Sequence, residues 1–305
     1  MKQRDVGLLF ALMALWGLNF SVIKLGVNNI DPLMLTALRF TFAVFPLVFF
    51  IKRPNVQWRY LVAYGLSFGV GVWGLTTLSI RLGLSAGMAS LLLDMSVVSS
   101  LLVGYFVLKE KLTFNKLLGA GLALMGLFII MQADGGAISM AGLVLVLLAS
   151  VCWSINGVIV KWANTREIFA FNIWGMLFAP LPLVCLSILI NGSQVVFELL
   201  AEFDRSTLFS VLFQAYPTTL FGYWLWNKMI VKYGISSVAP MTLLVPVFGI
   251  LGGYWFYQEV ISLSQIVAGV MILGGLFISQ MPSYLLKSRL RKVVFYVQSR
   301  INGLR

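Results

Sequence analysis

The amino-acid sequence predicts an all-α integral membrane protein with ten transmembrane helices arranged as two inverted five-helix repeats. Three observations lead there. Of 305 residues, 60% are hydrophobic and only 10% are charged, too little polar surface to solvate a globular protein of this length. The apolar residues gather in stretches of about 20, the length with which a helix crosses the hydrocarbon core of a bilayer. Finally, the spacing W-x2-N-x4-K at Trp16, Asn19 and Lys24 recurs at Trp153, Asn156 and Lys161, 137 residues later.

The predicted spans are 6–27, 32–51, 60–80, 85–108, 116–132, 139–161, 169–190, 207–232, 236–256 and 264–282. Strands of a transmembrane barrel are half as long and alternate strictly, so these segments read as helices. Met1 to Asp5 and the apolar run behind it resemble a signal peptide. The run is too long and lacks a small-residue cleavage site, so a retained first helix is expected. Short connections leave almost nothing for a soluble domain.

The repeat divides the chain into residues 1–134, residues 135–282 and a tail, 283–305. "YFVLKEKLT" at 105–113 aligns with "YWFYQEVIS" at 254–262, which sets Glu110 opposite Glu259, and "GLFII" at 126–130 matches "GLFIS" at 275–279. Five helices per half is an odd number, so the second half enters the membrane from the opposite side. Inverted repeats are frequent in secondary transporters, which rearrange two related halves around a midplane site.

Lysine and arginine placement orients the chain. With both termini cytoplasmic, eighteen basic residues lie on the cytoplasmic side and four, Lys24, Arg39, Arg81 and Arg205, remain for the other. The net charge of +12 is thus mostly topology and tail. No aromatic-basic motif accompanies it, so no nucleic-acid partner is expected. In the tail, basic residues alternate with Leu, Val, Phe and Tyr, which suits a helix lying on anionic lipid.

Polar groups inside the spans mark the candidate site. In helix 1, Trp16 and Asn19 share a face about midway through the membrane, and Trp153 with Asn156 do the same in helix 6. A cavity between the repeats or interhelical hydrogen bonding would each satisfy the amides. Lys24 and Lys161 fall at helix ends, from which they can snorkel. Asp94, in "ASLLLDMSVV", is the only acidic residue deep within a predicted span. There it must be paired, solvated in a cavity or protonated. Arg39 of helix 2 lies at a similar depth, which permits an Arg39–Asp94 charge pair. Asp94 could otherwise carry a coupling proton or hold the ammonium of a substrate. Trp73 in "SFGVGVWG", Tyr223 and Trp226 in "FGYWLW", and Pro240 and Pro246 in "APMTLLVP" could line or hinge a pathway, or simply pack. Gly65 and Gly69 have the spacing of close helix packing.

Other classes fit less well. The chain has no histidine, no paired intramembrane carboxylates and no metal-ligand cluster. Protease and metalloenzyme chemistry therefore lack their groups, and no catalytic residue, metal or cofactor is expected. Cys152 and Cys185 both fall inside spans and form no disulfide framework. A channel would need a selectivity ring, and none is identifiable.

The stretches "WGLNFSVIK" (16–24), "PLMLTALRF" (32–40), "RP" (53–54), "AGMASLLL" (86–93), "GYWLW" (222–226) and "APMTLLVPVFG" (239–249) resemble the EamA-type members of the drug/metabolite transporter superfamily, and within it the O-acetylserine/cysteine exporters. The likeness runs nearly to Pro282. It implies a ten-helix inner-membrane carrier that exports small amino-acid-related metabolites such as cysteine or O-acetylserine, with drug efflux as the alternative. It also implies a central cavity lined by helices 1, 3, 4, 6, 8 and 9, where Asn19, Trp73, Asp94, Asn156, Tyr223 and Pro246 lie. Asp94 departs from the neutral polar residue more usual in such exporters, and an acid there suits a cationic or zwitterionic substrate.

Overall fold

Short polar connections start and stop the helices through capping. Asp31 accepts from the backbone N–H groups of Leu33 and Met34, with Pro32 at the first helical position. Ser85, Ser139, Asp204 and Ser262 accept from the backbone N–H groups of Met88, Gly142, Thr207 and Gln265, and Gln265 completes a capping box with Ser262. Lys109, Asn164 and Gln258 end their helices in the left-handed region, at φ of 55°, 46° and 50°.

A computed structural model describes residues 1–109, 112–133, 139–233 and 238–281. Glu110 and the tail, 283–305, lie outside the described residues. The described secondary structure is entirely helical. The helices are α1 (Gln3–Val27), α2 (Pro32–Val44), α3 (Leu47–Phe50), α4 (Trp58–Gly65), α5 (Leu75–Arg81), α6 (Ala86–Leu93), α7 (Ser96–Leu108), α8 (Phe114–Ala133) and α9 (Met140–Ala163). They continue as α10 (Ile168–Met176), α11 (Pro180–Asn191), α12 (Gln194–Glu202), α13 (Arg205–Phe213), α14 (Gly222–Tyr233), α15 (Leu244–Tyr257) and α16 (Leu263–Gln280). Two wider, π-helical stretches, Leu66–Gly74 and Gln214–Phe221, join α4 to α5 and α13 to α14 without interruption. A 3₁₀ turn, Ala239–Leu243, leads into α15.

Among the described residues, six helical segments are long and apolar enough to span a membrane: Gln3–Val27, Pro32–Phe50, Trp58–Arg81, Ala86–Val107, Met140–Ala163 and Ile168–Asn191. Phe114–Ile129, Met241–Tyr257 and Leu263–Ser279 are shorter apolar helices. Many large apolar side chains face outward, with Phe50 80%, Leu189 79% and Val231 86% exposed. In water such a surface would aggregate; lipid is its solvent. The chain is a multi-pass membrane protein.

Several spans are broken where a single helix was expected. Pro46, which lacks an N–H, separates α2 from α3. Asp94 does not sit in mid-helix: it caps α6, and i→i+3 bonds from Met95 to Leu92 and from Val97 to Asp94 tighten the turn before α7. The helix α12, Gln194–Glu202, occupies a stretch read from the sequence as loop.

Close approach requires glycine at two crossings. A Cβ on Gly119 of α8 would strike the carbonyl of Gly275 on α16, and one on Gly275 would strike that of Gly119. A Cβ on Gly65 would likewise strike the Gly175 carbonyl, and one on Gly69 would strike the Ala179 methyl. The main core gathers Phe20, Leu35, Phe40, Phe68, Val72, Leu91 and Phe171, with Tyr64 stacked on Phe68 at 5.2 Å. A smaller core joins Leu9, Leu12 and Met13 of α1 to Leu225 and Met229 of α14.

Ion pairs fasten α1 at both ends. Near Val27, Lys24 does not merely snorkel. Its Nζ lies 2.7 Å from Glu259 Oε1 and 4.6 Å from the Tyr257 ring centroid. Near Gln3, Asp5 receives Lys232 at 2.6 Å and the Tyr233 hydroxyl. Both partners come from distant parts of the chain, so the sequence offered no sign of either pair.

Candidate functional site

The broken helices meet at the centre. A cavity of about 170 Å³ opens between α1, α2, the two π-helical stretches, α6, α7, α9, α14 and the start of α15. Trp16, Asn19 and Phe20 come from α1, and Arg39 from α2. Trp73 lies on the first π-helical stretch, Asp94 at the α6–α7 break, Trp153 on α9 and Tyr223 on α14. Ser90, Ser96, Thr218 and Thr242 complete the polar lining. None of these four stood out in the sequence, because serine and threonine are common in membrane helices.

Local backbone chemistry sets the arginine. Pro217 sits inside the second π-helical stretch and provides no N–H. The Thr218 and Thr219 hydroxyls both donate to the Gln214 carbonyl, at 2.6 and 2.7 Å, and the Thr218 hydroxyl also reaches the Phe213 carbonyl, four residues before Pro217, at 3.4 Å. Thr219 Oγ1 then accepts from Arg39 Nε at 3.0 Å. The guanidinium stacks over Trp73, 3.9 Å from the ring centroid, an arrangement worth about 2 kcal/mol when desolvated. Wide π turns recur at functional sites because they displace side chains and free backbone groups.

Aromatic rings form the wall. Trp16 donates its Nε1–H to the Thr218 carbonyl at 3.0 Å and packs against Tyr223 and Trp226, each at 5.5 Å. Trp73 meets Phe20, Phe68 and Trp153 at 6.3, 6.4 and 6.5 Å. Behind Asp94, a serine ladder holds α7 to α9: Ser99 and Ser100 reach Ser154 at 2.7 and 2.9 Å.

The Arg39–Asp94 charge pair expected from the sequence is not formed. Both residues line the cavity, but Arg39 is turned to Thr219 and Trp73, and no ion pair joins it to Asp94. Seven buried side-chain polar atoms among the described residues lack a hydrogen-bond partner. Four of them belong to this cavity: Asn19 Oδ1, Arg39 Nη1, Trp73 Nε1 and Asp94 Oδ2. Such groups are costly in a low-dielectric interior and are rarely left so without a purpose.

Two expected residues lie off the cavity. Pro246 is buried in α15, where its neighbour Val245 takes the lining face. Asn156, one turn along α9 from Trp153, is buried elsewhere, with its Oδ1 unpartnered. Asn19 therefore lines the site while Asn156 does not. Cys152 and Cys185 are both free thiols.

Comparison with known proteins agrees with this architecture. The model of the EamA-like transporter family matches residues 5–132 and again 140–281. A protein of Salmonella typhimurium LT2 named "Probable amino-acid metabolite efflux pump" is 32% identical over 285 residues, covering 92% of this chain and 95% of that protein. Its namesake in Escherichia coli K12 is 31% identical with the same coverage. One solved crystal structure shares the fold, with a TM-score of 0.59 at 18% identity, covering 92% of this chain and 96% of the other.

Proposed function

Because the chain belongs to the EamA-like transporter family of the drug/metabolite transporter superfamily, we propose that it is a secondary transporter exporting small amino-acid-related metabolites, cysteine and O-acetylserine among them, by alternating access. It is a transporter of metabolites by family and relatives. The observation that carries the finer reading is the central cavity, where a cation, a carboxylate and an amide each keep a buried atom without a partner.

In this reading ten spans form two inverted repeats, residues 1–134 and 135–282, in the inner membrane with both termini cytoplasmic. One family model fitting two successive segments supports the duplication. So do local irregularities that recur along the chain. The π-helical stretches begin at Leu66 and Gln214, and the left-handed helix ends fall at Lys109 and Gln258. The ion pairs at opposite ends of α1 would then act on opposite sides of the membrane.

Cavity size favours metabolites over drugs. Drug-sized ligands occupy pockets of about 300–1,000 Å³, and this cavity holds about 170 Å³.

Counterflow in proteoliposomes tests the proposal. Protein loaded with unlabelled cysteine, O-acetylserine or other amino acids should accumulate the radiolabelled compound saturably. Asp94→Asn should impair that transport through a raised KM, with counterflow still measurable, while remaining folded and membrane-inserted. Absence of counterflow across the panel, with folded protein, would overturn the reading.

A further inference from the structure

Resting on the transporter reading just given, we propose that the central cavity selects zwitterions, with Arg39 receiving the carboxylate of an α-amino acid and Asp94 with Asn19 receiving its ammonium group. Arg39 is 1% exposed, and its guanidinium is held from one side by Thr219 and from its face by Trp73, which leaves Nη1 free. A planar guanidinium with a free edge suits a carboxylate. Asp94 Oδ2 and Asn19 Oδ1 are both acceptors without donors, and an ammonium group brings three donors.

The charge balance decides between ligand classes. With both side chains ionised, Arg39 and Asp94 give the cavity no net charge, yet neither neutralises the other by direct contact. A zwitterion brings an opposite charge to each and leaves the site neutral. A simple amine would satisfy Asp94 but add a positive charge near Arg39, and a simple acid would do the reverse. Either leaves one buried charge uncompensated, a far larger penalty than a missing methylene group. The rings of Trp16, Phe20 and Trp153 form an apolar wall for the substrate's side chain. They contribute little to discrimination between charge types.

Competition in the counterflow assay tests the assignment. The amino acid with the largest saturable counterflow is challenged with its decarboxylated amine and its deaminated acid; for cysteine these are cysteamine and mercaptopropionate. Both analogues should compete about tenfold or more weakly than the parent, the scale of a lost hydrogen bond to a charged group. In Asp94→Asn the disadvantage of the deaminated acid should shrink, while that of the amine persists. In Arg39→Gln, which removes the charge and keeps a polar side chain, the disadvantage of the amine should shrink instead. Equal competition by either analogue in the unaltered protein would overturn zwitterion selection while leaving the carrier intact. Failure of every amino acid to show counterflow would overturn both.

Discussion

Lys24 and Glu259 form an ion pair of 2.7 Å that joins α1 to the end of α15, and the same Glu259 carboxylate accepts the backbone N–H of Ala86 at 3.1 Å. One carboxylate thus links three helices and neutralises the positive N-terminal end of α6. The side chains are 26% and 14% exposed, so the pair is neither freely solvated nor fully desolvated. Glu259→Gln should destabilise the detergent-solubilised protein by about 1–3 kcal/mol, between surface and buried ion-pair values. A double-mutant cycle with Lys24→Met checks this; independent effects would exclude a working pair.

Thr219 positions Arg39 without lining the cavity. Thr219→Val keeps the shape but removes the Nε acceptor, and Thr219→Ser restores it. The valine variant should raise the counterflow KM about tenfold with little change in maximal rate, the scale of a hydrogen bond to a charged group. Recovery in the serine variant separates positioning from packing.

Helix crossings at glycine leave no room for a side chain. Gly119→Ala should cost about 1–3 kcal/mol through forced separation of α8 from α16. Gly121, which a Cβ would leave in open space, provides the control: Gly121→Ala should not lower the thermal midpoint.

Acid should loosen the connection before α13. The Thr207 backbone N–H, with the Thr207 and Ser206 hydroxyls and the Asn29 amide, lowers the Asp204 carboxyl from 3.8 to about 2. A depressed pKa gives stability that is complete above the unfolded value and is lost as pH falls through the folded one. The thermal midpoint of the unaltered protein should therefore fall more steeply than that of Asp204→Asn between pH 3.8 and about 2. Parallel curves would refute the contribution.

Much of the architecture was legible from hydropathy, since lipid penalises any span that is not apolar and helical. Gly65 and Gly69 were readable as packing residues from their four-residue spacing. The site was legible in part. Trp16, Asn19, Arg39, Trp73, Asp94, Trp153 and Tyr223 are conspicuous because large polar or charged groups are rare in a membrane helix, and all seven line the cavity. Ser90, Thr218 and Thr242 carried no such signal. Asn156, matched to Asn19 by the repeated spacing, and Pro246, placed by the family resemblance, lie off the cavity, because neither signal fixes what a helix face meets.

The sequence by itself determined that the chain lives in a membrane, that it is helical and which rare polar residues must be explained, because transfer into hydrocarbon acts on each segment almost independently of its neighbours. Only the tertiary structure decided how those residues are paired. Lys24 found Glu259, Asp5 found Lys232, and Arg39 turned to Thr219 and Trp73 instead of Asp94. Such pairings depend on the rotation and depth of helices distant in sequence, set by close packing at glycines, by breaks at Pro46 and Asp94 and by the wide turn around Pro217, and they leave Arg39 and Asp94 lining one cavity without an ion pair between them.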